Sequence, residues 1–156
     1  MIKHFAYPLI AAFAILAAAC SESVIYEANV DIPKETWNAD STANFMVNVD
    51  DTSSTFNIYI NLRNTTSYPN SNLYLFVQTI SPSGAVLRDT VEYLLADSKG
   101  KWLGKGFGSI RDNRLLYKQY IRFPENGTYT FGIQHGMRTD NLMGIPSVGL
   151  RVETVE

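Results

Sequence analysis

Cysteine and histidine, the side chains that most readily do covalent and acid–base chemistry near neutral pH, are both scarce in this 156-residue chain. Cys20 is the single cysteine, and His4 and His135 are the two histidines. Cys20 follows an uncharged apolar run, residues 5–19 (FAYPLIAAFAILAAA), itself preceded by Lys3 and His4. A charged start, an apolar stretch and small residues before a cut describe a secretory signal peptide. The run is too short for a bilayer, which takes about 20 apolar residues, and Pro8 disturbs its first turns. Ala17, Ala18 and Ala19 suit ordinary cleavage, but they also lead into a cysteine, as lipoprotein processing requires. A lone exposed thiol is a liability in an oxidising compartment unless chemistry consumes it. Thioether linkage to diacylglycerol does so, and two or more acyl chains anchor stably where one does not. The expectation is therefore a signal peptide at 1–19 and lipidation of Cys20, in preference to plain secretion. Ala17 stands where the commonest processing pattern has leucine, with Leu16 one position further out.

With His4 in the leader, His135 is the one imidazole left and no second thiol accompanies it, so a zinc or copper site of the usual kind is not expected. Neither a metal nor a cofactor is implied. His135 reads as a strand-end residue before Gly136. A Ser-His-Asp set is compatible with the spacing, yet no GxSxG signature is present. Asp89 and Glu92 are the nearest approach to a carboxylate pair, but an offset of three on a strand turns them to opposite faces. Distant carboxylates can still converge, which keeps a hydrolase as a third reading. Asp50-Asp51 lacks the spacing and the glycine of a calcium loop.

Residues 100–108 (GKWLGKGFG) hold four glycines, Lys101, Lys105, Trp102 and Phe107. A phosphate loop needs GxxxxGK[ST] and a helix after it, whereas Gly104-Lys105-Gly106 runs into Phe107-Gly108. The expected alternative is a glycine-rich bulge or wide hairpin whose Trp102 and Phe107 plug the end of the fold. Lys99, Lys101, Lys105, Arg111, Arg114, Lys118 and Arg122 fall within 24 residues. Such a cluster suits anionic headgroups or an acidic partner, at about 1 kcal/mol per cation near a membrane, and it equally suits a solvated strand face. Tyr59, Tyr74 and Tyr120 suit either a sugar-stacking platform or cross-strand packing.

The elements that must carry these residues read as strands. Phe45, Val47 and Val49 alternate with polar neighbours, as do Phe56, Ile58, Ile60 and Leu62, then Tyr129, Phe131 and Ile133, then Val148, Leu150 and Val152. Leu73 to Ile80 (LYLFVQTI) is apolar at nearly every position and reads as a central strand covered on both faces. Ser81-Pro82-Ser83-Gly84 has turn chemistry. Residues 86–96 fit strand better than helix, and 115–123 alternate cleanly. The segment 64–72 reads as a polar loop. Residues 20–35 are expected to be a lipidated tether with a possible first strand, and 36–156 one antiparallel β-sandwich of about seven or eight strands. Without the 19 leader residues 137 remain, enough for one core without staples. Lys3 leaves with the leader, so 12 of 13 cations face 15 acids, a balance that argues against nucleic acid as a partner.

An ordered set of landmarks runs through the chain: Asn72-Leu73-Tyr74-Leu75-Phe76-Val77, Asp89-Thr90-Val91-Glu92, Leu95-Ala96-Asp97, Gly100-Lys101-Trp102-Leu103-Gly104, Met137-Arg138, Leu142-Met143-Gly144-Ile145 and Val148-Gly149-Leu150-Arg151. With the lipoprotein leader, this set resembles the gliding-motility lipoprotein family GldH. The resemblance implies a Bacteroidetes outer-membrane lipoprotein of gliding motility and the linked secretion machinery, facing the periplasm. It implies other envelope proteins as partners, no enzymatic activity and no catalytic residues. Asp89, Glu92, Lys101, Trp102, Lys105, Met137 and Arg138 are the candidate interaction surface. The alternative expectation is a glycan- or ligand-binding surface lipoprotein.

Overall fold

The computed structural model describes residues 23–155, so the leader and Cys20 lie outside the described residues. Within them the chain forms ten strands: β1 (Val24–Asp31), β2 (Thr36–Asn38), β3 (Ala43–Val49), β4 (Thr55–Thr65), β5 (Asn72–Ile80), β6 (Val86–Leu94), β7 (Ile110–Ile121), β8 (Gly127–His135), β9 (Asn141–Met143) and β10 (Ser147–Val155). Every pairing is antiparallel. One four-stranded sheet has the order β1-β10-β4-β7, the other β3-β8-β5-β6, and β2 pairs with β9. The fold is the all-β sandwich that the period-two pattern requires, and 24–31 is a true first strand.

Alternation explains the core. Phe56, Ile58, Ile60 and Leu62 of β4, with Val148, Leu150 and Val152 of β10, form one inner face. Phe45, Val47 and Val49, Leu73, Leu75 and Val77, and Tyr129, Phe131 and Ile133 form the other. Burying each such side chain is worth about 1.5–3 kcal/mol before ordering costs. Trp37 and Leu142, carried by β2 and β9, close one end of the core. Phe56, Phe123 and Tyr129 close the opposite end, with ring centroids 5.2 and 4.7 Å apart.

Three expectations need correction. The strand at 72–80 is central but covered on one face only, because among the described residues no third layer lies outside its sheet; Tyr74 and Phe76 are therefore exposed. The segment 64–72 is not all loop, since β4 continues through Asn64 and Thr65 and Tyr68 is buried beyond it. Asn64 can be buried because its amide is paired, giving a bond to the Thr65 carbonyl and accepting one from Asn113. Phe107 plugs nothing: it is 99% exposed, while Trp102 packs against the core.

The connections sort into two ends. Residues 50–54 and 122–126 cross between the sheets at the end where β1 starts and β10 stops, and the 81–85 turn joins them there. The β2–β9 pair, residues 66–71 and residues 95–109 lie at the other end.

Candidate functional site

The seven candidate surface residues do not share one surface. Asp89 and Glu92 sit on opposite faces of β6, as the period of two demands. Asp89 faces inward across the open side of the sandwich, where Tyr117 of β7 donates to it at 2.5 Å and Lys118 Nζ lies 2.9 Å away. These contacts, the tyrosine first, hold the Asp89 carboxyl below the usual range.

Glu92, Met137 and Arg138 do converge, around Tyr74. β8 ends at His135, opposite Leu75, so the next amide of β5 loses its strand partner. The Met137 sulfur takes its place, accepting the Tyr74 N–H at 3.3 Å, while the Gly136 N–H donates to the Tyr74 carbonyl at 2.7 Å. Glu92, held by the Asn72 amide at 2.8 Å, stands beside the Tyr74 phenol and pushes its pKa up, and Arg138 opposes it. A raised phenol is a donor, not a nucleophile. Around it opens a groove of about 870 Å³, whose lining includes Pro69, Tyr74, Met137, Arg138 and Met143.

Lys101, Trp102 and Lys105 lie elsewhere, in two successive hairpins. An Ala96–Trp102 bridge closes the first and a Lys105–Asp112 bridge the second. The Asp97 carboxylate accepts the Lys99 and Lys101 N–H groups at 2.9 Å, which shapes the first turn. In the second, a Cβ on Gly106 would stand 2.6 Å from the Ile110 carbonyl oxygen, so glycine is required there. Trp102 leans on Tyr68, whose hydroxyl donates to the Asn72 carbonyl at 2.8 Å. No helix follows, so this is not a phosphate loop.

Tyr74 belongs to the second sheet, whereas Tyr59 and Tyr120 belong to the first, so the three form no common sugar platform. The basic cluster is likewise divided: Lys118 is bound to Asp89, and Arg122 lies at the opposite end from Lys99, Lys101 and Lys105. His135 is buried edge-on against Trp37, centroids 5.6 Å apart, away from solvent. Among the described residues no group of three or more His, Cys, Asp or Glu converges.

One polar network was not anticipated. On the outer face of the first sheet, Arg151 of β10 bonds Glu27 of β1 at 2.8 Å and Glu153 at 2.9 Å, and Asn61 of β4 donates to Glu27 at 2.9 Å. Arg151 and Glu153 side chains are only 11% and 7% exposed. The signal was the charged pair two apart on an outward face, Arg151 and Glu153, beside a glycine at 149.

Comparison with known proteins places these features in a family. The model of the GldH lipoprotein family matches residues 24–152. A protein of Christiangramia forsetii named gliding motility lipoprotein GldH homolog is 36% identical over 146 residues, 89% of each chain. The gliding motility lipoprotein GldH of Flavobacterium johnsoniae is 33% identical over 147 residues, 90% of this chain and 91% of its own. Among solved structures, the infectious bursal disease virus Gx strain matches with a TM-score of 0.41 at 15% identity, over 84% of this chain and 32% of that one. A likeness that weak bears on neither fold nor function.

Proposed function

We propose that this chain, which belongs to the GldH lipoprotein family, is a non-catalytic accessory of gliding motility and its linked protein secretion. Lipid on Cys20 holds it to the outer membrane, facing the periplasm, and it acts through protein contacts. The names of the relatives support the motility role. The single acid after the cysteine, in Ser21-Glu22-Ser23, supports the periplasmic side.

The observation that carries the contact role is the Tyr74 groove. Aromatic, Met and Arg side chains are enriched at protein interfaces, and here Tyr74 stands between Glu92 and Arg138 with exposed Met143 beside it. Its backbone is fixed by Met137 and Gly136, so the ring is presented at little ordering cost. Deleting the gene should abolish or slow gliding and secretion, and Tyr74→Ala with Arg138→Glu should reproduce the defect at normal protein abundance. Unchanged gliding, secretion and envelope integrity in the deletion strain would refute the proposal.

A glycan-binding role is favoured by a second groove of about 520 Å³, where Asn44, Gln78, Arg88 and Gln134 surround half-exposed Phe76. Amides around an aromatic suit sugar hydroxyls. Silence on an array that includes peptidoglycan fragments removes this reading.

A further inference from the structure

We propose that the paired hairpins of residues 96–112 form a docking knob at the membrane-distal end of the domain, whose occupant is a protein with an apolar pocket rimmed by carboxylates. The orientation rests on the Cys20 anchoring reading; the chemistry of the knob does not.

Three residues separate Cys20 from β1, a reach of at most about 14 Å. The end of the sandwich where β1 starts is thereby kept near the bilayer. β4, with 11 residues, runs from that end to the other at about 3.3 Å per residue, so the hairpins project on the order of 30 Å further out. That exceeds a Debye length of about 8 Å, so their cations do not feel the anchoring leaflet. The near end carries Asp50, Asp51 and Glu125 against Arg122, which offers headgroups no positive patch.

Within the hairpins, Lys99, Lys101, Lys105 and Arg111 outnumber Asp97 and Asp112. Asp97 is engaged by backbone amides, and Asp112 pairs with Arg63 at 2.6 Å. Among the described residues Lys99, Lys101, Lys105 and Arg114 make no ion pair. Phe107 stands fully exposed at the tip, with Leu103 and Leu94 also exposed behind it. The tip is braced rather than loose. The Lys105–Asp112 backbone bonds are 2.9 and 2.7 Å, Arg111 donates to the Gly108 and Ile110 carbonyls at 2.8 Å, and the Thr66 N–H donates to the Ser109 carbonyl at 2.8 Å. A pre-ordered aromatic at the tip of a hairpin that also carries Lys105 and Arg111 is the form of an interface anchor, and the charge selects and steers an acidic partner.

The test places a photo-crosslinking phenylalanine at position 107 of the full-length protein in its own cells, with a control at position 52 near the anchored end. The expected result is a protein adduct at 107 whose joined peptide holds Asp or Glu beside apolar residues. Its yield should fall about tenfold in the Lys101→Glu, Lys105→Glu double variant. Phe107→Ser should melt like the unmodified protein, since the ring touches nothing, and yet lose the partner. A lipid adduct at 107, a second copy of this chain, an adduct indifferent to charge reversal, or no adduct each overturns the proposal. Cys20→Ser fractionation tests the anchoring separately: a variant that stays on the membrane defeats the orientation whatever position 107 captures.

Discussion

Tyr117 of β7 donates its hydroxyl to Asp89 of β6 at 2.5 Å, so the last strand of one sheet is bound to the last strand of the other. Tyr93 repeats the tie two turns of the pleat away, donating to the Leu116 carbonyl at 3.0 Å. Asp89 thus stitches the open side of the sandwich. Tyr117→Phe should lower the unfolding free energy by about 1 kcal/mol, the usual net worth of such a bond. Asp89→Ala should cost more, because it also removes the carboxylate that pairs with Lys118 at 2.9 Å. Urea unfolding of both and of the double variant measures the coupling.

Arg151 supports two carboxylates, one of them buried. Arg151→Met leaves Glu153 without its 2.9 Å partner in a site almost closed to water, and breaking a buried pair in this way costs about 3 kcal/mol or more. Arg151→Met with Glu153→Leu should recover most of that loss. Denaturant midpoints of the single and double variants check the order.

Acid should weaken the fold through His135. Its Nδ1 accepts the Met137 N–H at 3.3 Å, which leaves the ring neutral, and Nε2 is buried without a hydrogen-bond partner. Burial depresses its pKa, and the carbonyls of Trp37 and Asp140 oppose this only in part. The unfolded chain therefore takes the proton first as pH falls below about 6.5. This contribution is complete above that value and declines as pH drops toward the folded-state pKa. Melting temperature at pH 7.5 and pH 5.5 should show the decline, and His135→Gln should reduce it.

Gly149 is closed to any side chain. A Cβ there would stand 2.7 Å from the Ala28 carbonyl oxygen and closer still to the Asn29 side chain. Gly149→Ala should destabilise by about 1–3 kcal/mol through overpacking. Adding Asn29→Ala should not restore stability, since the backbone clash persists.

Strict alternation made β3, β4, β8 and β10 legible, because every second residue of each is apolar and faces the core. It misled at β5, where Tyr74 and Phe76 are apolar but face solvent, as contact surfaces do. β2 and β9 escaped notice because three residues carry no period, yet they bring Trp37 and Leu142 to the core. The bulge that gives Tyr120 a φ of 52° left no trace in residue types, since tyrosine is not a residue that favours it. Glu92, Met137 and Arg138 stood out individually. Their meeting at Tyr74 depends on a contact between positions 63 apart, which pairing register decides and local pattern does not.

Cys20 is the residue that would place the domain on a membrane and set which end projects from it. Fractionation of cells making the wild-type chain and the Cys20→Ser variant, with fatty-acid labelling of both, is the most direct measurement. Lipidation at Cys20 predicts a labelled, membrane-bound wild type and an unlabelled variant released to the soluble fraction. A Cys20→Ser chain that remains membrane-bound, or a wild type without label, would contradict it.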